Sequence, residues 1–451
     1  MTELTLARVA ALSGGELLGA DVSLTGVSTD TRRIRPGELF VALKGPNFDG
    51  HDYLETARER GAAGALVAGP PPAGLPCVAV TDTRRALGEL GRNWRKSLAL
   101  AVVGLTGSNG KTTVKEMIRT ILALVGETHA TRGNLNNDLG VPLTLLELRP
   151  HHRFAVIEMG ANHAGEIAYL TRLARPDVAL LNNAGPAHLE GFGSLEGVAR
   201  AKGEIFLNLK PDGVAVINGD DPFNPLWREY AAPRRVVDFS LGGAAAVSGR
   251  RLEDGRLAIT LADGSSAAVE LPLPGEHNRR NALAAAAVCH AMDIDLATIV
   301  RGLEGVQGVA GRLTSRAGPF ASTLIDDAYN ANPASLAAAL GALEVGRRWL
   351  VLGDMNELGG EAPQLQARAG EQARAGGFER LYALGTHSRQ AAESFGEGGR
   401  HFATLEALSD TLLADLARSG PVTLLIKGSR GMRMERVVEM LLGNASAGEE
   451  D

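Results

Sequence analysis

A chain of 451 residues, 45% hydrophobic and 22% charged, exceeds what one hydrophobic core spans and is expected to fold as two to three domains. A formal net charge of −6 argues against a nucleic-acid or anionic-membrane partner held by bulk charge. Two cysteines, Cys77 and Cys289, cannot make a disulfide framework or a close metal pair; with no basic-then-apolar start and no run of ~18 apolar residues, a cytoplasmic chain without a membrane span is expected.

Along the chain, residues 1–97 mix short strand-like pieces such as Glu38-Leu39-Phe40-Val41-Ala42-Leu43 with turns, including Gly69-Pro70-Pro71-Pro72-Ala73-Gly74, and carry no nucleotide signature. Residues 98–312 alternate strands with helices. The apolar Ala101-Val102-Val103 is followed by Gly104-Leu105-Thr106-Gly107-Ser108-Asn109-Gly110-Lys111-Thr112-Thr113, and then by Val114, Met117, Ile118, Ile121, Leu122 and Val125 at helical spacing. Strand, glycine loop and helix in this order make a phosphate-binding loop. Backbone N–H groups of Gly107 to Gly110 turn inward on phosphate oxygens, the helix start adds partial positive charge, Lys111 reaches the terminal phosphates as an exposed lysine, and the hydroxyl of Thr112 suits magnesium. Leu105 stands where the common pattern has glycine, and Gly104 comes one residue early. An ordinary glycine-rich turn is the bland alternative.

Further strands are expected at Phe154-Ala155-Val156-Ile157, Val178-Ala179-Leu180-Leu181 and Val214-Ala215-Val216-Ile217, in a mostly parallel, helix-covered sheet. Glu158 ends the first of these, where strand ends face a ligand crevice, so its carboxylate is a magnesium candidate; a solvated strand-end glutamate is the alternative. His188 follows another strand and Lys202 sits on a helix after it; a structural histidine and a solvated lysine are the ordinary readings of each alone. Residues 240–273 read as irregular strands and loops, and Asn278 to Met292 as an alanine-rich helix. In residues 313–451, strands at 323–325, 349–352, 381–384 and 422–426 suggest a Rossmann-like domain, and the small, polar tail from Asn444 is expected to fray. The fold class is therefore α/β in three domains.

The loop at 104–113, Glu158-Met159-Gly160-Ala161, His188-Leu189-Glu190-Gly191-Phe192-Gly193 and Ala201-Lys202-Gly203-Glu204 resemble the Mur ligases, whose own variant the early glycine is. The resemblance continues through Glu276-His277-Asn278-Arg279-Arg280-Asn281-Ala282, Gly311-Arg312, Asp326-Asp327-Ala328-Tyr329-Asn330-Ala331-Asn332-Pro333 and Leu352-Gly353-Asp354-Met355-Asn356-Glu357, and so covers nearly the whole chain. Asp30-Thr31-Arg32, Pro36 to Gly45, Asp49-Gly50-His51, the Tyr-Asn-Ala-Asn-Pro run and Lys427 to Glu435 resemble the members that add D-alanyl-D-alanine to UDP-N-acetylmuramoyl-tripeptide (UDP-MurNAc-tripeptide).

The resemblance implies an ATP-dependent carboxylate-amine ligase, expected to act as a monomer on small-molecule substrates. It implies that Gly107, Ser108, Asn109, Gly110, Lys111, Thr112, Thr113, Asn281, Arg312 and Asp327 meet ATP, with Asp326 the alternative to Asp327. It implies two magnesium ions, one on Thr112 and Glu158 and one served by His188 and a carbamylated Lys202, so that Lys111, Lys202 and His188 carry the catalysis. It further implies that Ser28, Asp30, Lys44, His51, Thr131, Asn134, Asn136 and Asn137 meet the sugar-nucleotide peptide, and Lys427 and Arg430 the dipeptide carboxylate. Helix caps, turns and ion pairs are the alternative roles of these residues. Another amino-acid-adding step of the same family, or a phosphate-loop ATPase or kinase of a different class, is the alternative function.

Overall fold

The computed structural model describes residues 4–70, 74–187, 189–343 and 346–447. His188 and residues 71–73 of the expected proline-rich loop lie outside them.

The first sheet comprises β1 (Glu16–Leu18), β2 (Gly26–Ser28), β3 (Glu38–Val41), β4 (Gly64–Val67) and β5 (Cys77–Ala79), in the order β1-β5-β4-β3-β2 with only β1 antiparallel. Helix α1 (Thr83–Lys96) starts at Asp82, whose carboxylate accepts the N–H groups of Arg84 and Arg85 that no earlier carbonyl can reach. Its Leu87, Leu90 and Trp94 share one buried cluster with Leu39 and Val78 of this sheet and with Val102, Ile157 and Leu181 of the next. Trp94 Nε1 donates to Leu148 O at 3.1 Å, so the first domain is fastened to the second by a continuous core as well as by hydrogen bonding.

The second sheet has nine strands: β6 (Ala101–Thr106), β7 (Thr128–Ala130), β8 (Phe154–Glu158), β9 (Val178–Leu181), β10 (Val214–Asn218), β11 (Arg235–Leu241), β12 (Val247–Arg251), β13 (Leu257–Leu261) and β14 (Ser266–Val269). They run in the order β14-β13-β12-β11-β10-β9-β6-β8-β7, parallel from β7 to β12 and antiparallel at β13 and β14. The stretch 240–273 that reads as irregular is this antiparallel end, built of short strands with exposed residues. Helices α2 (Lys111–Ala123), α3 (Gly140–Leu146), α4 (Leu195–Gly203) and α5 (Glu276–Ala291) belong to the same unit. Residues Ala282 to Cys289 of α5 are all fully buried, which explains their small size: α5 is packed on several sides, against α2 and β11 among others. Because β8 lies on one side of β6 and β9 on the other, the chain switches direction at β6, and a crevice opens at the carboxyl ends of these three strands.

The third sheet, β15 (Thr314–Ala317), β16 (Thr323–Asp327), β17 (Arg348–Gly353), β18 (Arg380–Leu384), β19 (Gly399–Phe402) and β20 (Thr423–Lys427), has the order β15-β16-β20-β17-β18-β19 with only β15 antiparallel. Helix α6 (Pro333–Gly341) follows β16. Of the tail expected to fray from Asn444, residues 444–447 belong to the last helix, Glu435–Ala447, and residues 448–451 lie outside the described residues.

Candidate active site

The loop between β6 and α2 is held from behind by asparagines. Asn109 N–H donates to Asn183 Oδ1 at 2.9 Å, and Asn109 O accepts from Asn182 Nδ2 at 3.0 Å and Asn183 Nδ2 at 3.1 Å. Ser108 Oγ exchanges hydrogen bonds with the backbone of Gly185. Gly110 stands at φ +79°, and a Cβ there would lie 2.4 Å from Asn281 Oδ1, so glycine is required both by conformation and by the asparagine beneath it. Leu105 is fully buried in β6; in this chain the loop begins two residues later, at Gly107, and position 105 belongs to the core.

Lys111, expected to be exposed, is half-buried, with Nζ donating to Gly107 O at 2.8 Å and to Ser108 O at 3.4 Å. The correction has a simple cause: an ammonium at a helix start turns back onto the carbonyls of its own loop, which are the acceptors within reach. Burial lowers its pKa and the charge of Arg312 adds to this, while Glu158 opposes it.

Glu158, 2% exposed at the end of β8, lies opposite the start of α2. Its Oε2 accepts from Thr112 Oγ1 at 3.1 Å, its Oε1 accepts from Asn136 Nδ2 at 2.8 Å, and Lys115 Nζ stands 3.9 Å away. Its own N–H donates to Thr131 Oγ1 at 3.0 Å. A carboxylate and a hydroxyl brought together beside a phosphate loop form an oxygen pair suited to a hard cation. Such a pair suits an ion that takes one or two carboxylates and completes its shell with phosphate and water.

Lys202 is 1% exposed on α4, contrary to the ordinary reading of a helical lysine, and its Nζ lies 5.8 Å from the centre of the Phe192 ring. Burial pushes its pKa well below the usual lysine range, and the charge of Lys111 adds to the fall. Two residues on, Glu204 accepts the N–H groups of Gly165 and Ala168 at 2.7 and 3.1 Å, so this part of the motif caps a neighbouring helix.

A cavity of about 270 Å³ separates the second and third domains beside the loop. Asn281, Arg312, Asp327 and Lys427 line it, as do Asn109 and Gly110; Asp326 does not. Asn281 is held by Asn182 and Asn278 at 3.1 and 3.2 Å. Arg312 lies 4.4 Å over the Tyr329 ring and keeps a buried Nε–H with no partner among the described residues. Asp327 and Lys427 form a buried ion pair, and Lys427 Nζ also donates to Asn330 O at 3.0 Å. These two residues, assigned separate ligands in the sequence, therefore sit together. Arg430 is exposed, 5.5 Å from the Tyr329 ring, and pairs with Glu435 at 3.1 Å.

The other expected residues belong to the first two domains, which meet at α3. Helix α3 packs against β2, which ends in Ser28; Asn137 Oδ1 caps α3 by accepting from Gly140 N–H at 2.8 Å, and Asn134 is exposed in the same loop. Thr131 is 1% exposed and accepts the backbone N–H of Glu158, and Asn136 donates to the carboxylate of that residue. Ser28 Oγ donates to Asp30 O, and Asp30 holds Arg32 at 2.8 Å, which lowers the carboxyl to about 2. Lys44, Asp49 and His51 form one group: Lys44 Nζ lies 3.4 Å from Asp49, and His51 Nδ1 2.6 Å from it. Because Ala68 N–H donates to His51 Nε2 at 2.9 Å, the ring hydrogen is on Nδ1 and points at Asp49. Gly50 between them permits this, since a Cβ there would come within 2.7 Å of the Leu43 backbone.

Several residues around the site escaped sequence reasoning. Lys115 of α2 is 2% exposed and ties Thr131 O at 2.7 Å to the neighbourhood of Glu158. Asp221 accepts the N–H of Ala184 at 2.9 Å and so fixes the loop that follows β9; burial raises its pKa. His277 borders the interdomain cavity, its pKa lowered by burial. The adjacent Asn182-Asn183 pair after a buried strand was the one available signal for the loop's rear support.

Comparison with known proteins agrees over the whole length. Residues 105–289 match the model of the Mur ligase middle domain, residues 311–430 that of the Mur ligase glutamate ligase domain, and residues 23–95 that of the Mur ligase family catalytic domain. The UDP-N-acetylmuramoyl-tripeptide–D-alanyl-D-alanine ligase of Escherichia coli (strain K12) is 45% identical over 452 residues, covering 99% of this chain and 100% of the relative. The crystal structure of MurF from Acinetobacter baumannii aligns with a TM-score of 0.91 at 36% identity, over 98% of this chain and 99% of that one. MurF ligase from Thermotoga maritima in complex with ADP aligns with a TM-score of 0.82 at 28% identity, over 94% and 98%.

Proposed function

The chain belongs to the Mur ligase family, and from that premise we propose that it joins D-alanyl-D-alanine to UDP-MurNAc-tripeptide with ATP, through an acyl phosphate, as a peptidoglycan-building enzyme. The observation that carries this reading is full-length similarity to relatives so named, together with a phosphate loop whose Thr112 faces Glu158. We take residues 1–97, 98–312 and 313–451 as its sugar-nucleotide, ATP and C-terminal units, acting as a monomer.

A free carboxylate does not react with an amine at neutral pH, because it repels nucleophiles and would have to expel hydroxide. Phosphorylation removes both obstacles. An oxygen of the tripeptide's terminal carboxylate attacks the γ-phosphorus, the bond to the β–γ bridging oxygen breaks, and ADP leaves. The amine of the dipeptide then adds to the acyl carbon, loses a proton, and expels inorganic phosphate as the peptide bond forms. Lys111 swings from its loop carbonyls to the γ-phosphate, Arg312 offers its unpartnered Nε–H from the domain boundary, and Asn281 and Asp327 orient the nucleotide. Thr112 and Glu158 would hold one magnesium ion, and His188 with Lys202 a second; bound magnesium neutralises the charge that keeps two anions apart.

Lys202 serves this role as a carbamate. An ammonium cannot ligate a cation, and the lowered pKa of this buried lysine favours the neutral amine, whose lone pair bonds to carbon dioxide while a proton leaves to solvent. Ser28, Asp30, Lys44, His51, Asn134 and Asn137 face the sugar-nucleotide peptide, Thr131 and Asn136 act on it through Glu158, and Arg430, with Lys427 behind it, meets the dipeptide carboxylate.

Four mixtures test the reading: ATP and magnesium with both cosubstrates, with either alone, and with neither. Phosphate release and a product with the mass of the UDP-linked pentapeptide are expected only in the first, and D-alanine alone is not expected to replace the dipeptide, since it forfeits the remote carboxylate contact. Release of phosphate without cosubstrates would contradict the proposal.

A further inference from the structure

The segment Tyr329-Asn330-Ala331-Asn332-Pro333 holds a residue whose contact reaches far beyond its own helix. Asn332 is the N-cap of α6: its Oδ1 accepts from Ser335 N–H at 2.8 Å, and Ser335 Oγ accepts from Asn332 N–H at 3.0 Å, a reciprocal capping box. Since a backbone N–H can only donate, the amide orientation is set, and Nδ2 must point the other way. There it donates to Oδ1 of Asn109, 223 residues earlier, at 2.8 Å. Asn109 has its backbone N–H and C=O both held by Asn182 and Asn183, so the side chain alone reaches across to the C-terminal domain. Both side chains are half-buried beside the interdomain cavity, where water competes weakly.

We propose that Asn332 is a positioning residue that couples the phosphate loop to the C-terminal domain: its amide registers α6 on Asn109, so that the nucleotide-competent placement of the domain is populated before nucleotide arrives. The inference rests on the reading of 107–112 as a nucleotide loop. If the competent placement is pre-populated by this bond, removing the bond lowers the populated fraction and weakens apparent nucleotide affinity by the same factor, while saturating nucleotide restores the placement and leaves turnover nearly unchanged. One hydrogen bond of ordinary net strength corresponds to about fivefold.

Serine separates this role from capping, because it caps a helix as well as asparagine does but is too short to reach Asn109. For Asn332→Ser, calorimetric titration with a non-hydrolysable ATP analogue is expected to show a dissociation constant about fivefold higher, with melting temperature and kcat near those of the parent protein. Asn332→Ala is expected to show the same loss of affinity together with a lower melting temperature. In an Asn109→Ser background, Asn332→Ser is expected to change nothing further, because the bond is already gone. Parental affinity in Asn332→Ser, or a full fivefold effect persisting in the Asn109→Ser background, would overturn the proposal. Titration reads binding independently of ligation, so failure of the ligase reading would show separately, as an absence of pentapeptide from the parent protein.

Discussion

Lys111→Ala is expected to lower kcat/KM by about 10²- to 10³-fold, the usual cost of losing one positioned charge donor on a developing anion. In phosphoryl transfer the protein does little covalent chemistry; a cation at the γ-phosphate contributes because charge spreads over its oxygens at the transition state. The same residue contributes little to the fold. Among the described residues its Nζ donates to Gly107 O and Ser108 O, acceptors in a loop beside an open cavity that water reaches once the side chain is shortened. A melting temperature within a few degrees of the parent is therefore expected alongside the loss of turnover. Initial-rate kinetics paired with thermal unfolding measures both, and a folded variant with near-parental ligation would refute the assignment of the loop.

Lys202→Ala is expected to be as damaging, by about 10²- to 10³-fold in kcat, and to be partly rescued by short carboxylic acids. The cavity left in place of a 1% exposed side chain can admit a carboxylate that presents the two oxygens the carbamate would supply. A lysine acting only as a buried cation would not be rescued by an anion. The pH dependence has a definite sign: the folded-state pKa is lowered, so the neutral amine grows as pH rises through it, and activity at fixed dissolved carbon dioxide is expected to rise with it. For the uncarbamylated protein the same shift means that the unfolded chain holds the proton more tightly, so this lysine costs stability as pH falls from the unfolded value through the folded one. Full activity in Lys202→Ala would end the carbamate assignment.

How much of this was legible depended on whether the cause was local. The loop at 107–110 was readable because hydrophobic spacing changes from strand to helix across it, and the strand Val178–Leu181 because a four-residue apolar run is bounded by turns. The strands β12 to β14 were blurred because they are short and because β12 and β14, on either side of the largely buried β13, carry exposed residues. The depth of Lys202 had no local trace: Ala-Arg-Ala-Lys-Gly-Glu has the composition of a solvated helix, and only the packing of α4 buries it. Asp327 and Lys427, 100 residues apart, end neighbouring parallel strands β16 and β20, a register that spacing alone cannot disclose. Thr131 and Asn136 were readable as polar loop residues, but not as partners of Glu158, since they follow β7, and only its parallel pairing with β8 brings them to the end of that strand.

The acyl phosphate is the centre of the account, and the fate of one oxygen tests it most directly. When the tripeptide's terminal carboxylate carries oxygen-18 at both positions, one labelled oxygen becomes the bridge to phosphorus and must leave with phosphate as the amine displaces it. Mass spectrometry is expected to find one oxygen-18 in each inorganic phosphate released and one retained in the new peptide bond of the UDP-linked pentapeptide. Unlabelled phosphate, with both labelled oxygens still in the peptide substrate, would mean that water rather than the carboxylate attacks ATP, and would contradict the account.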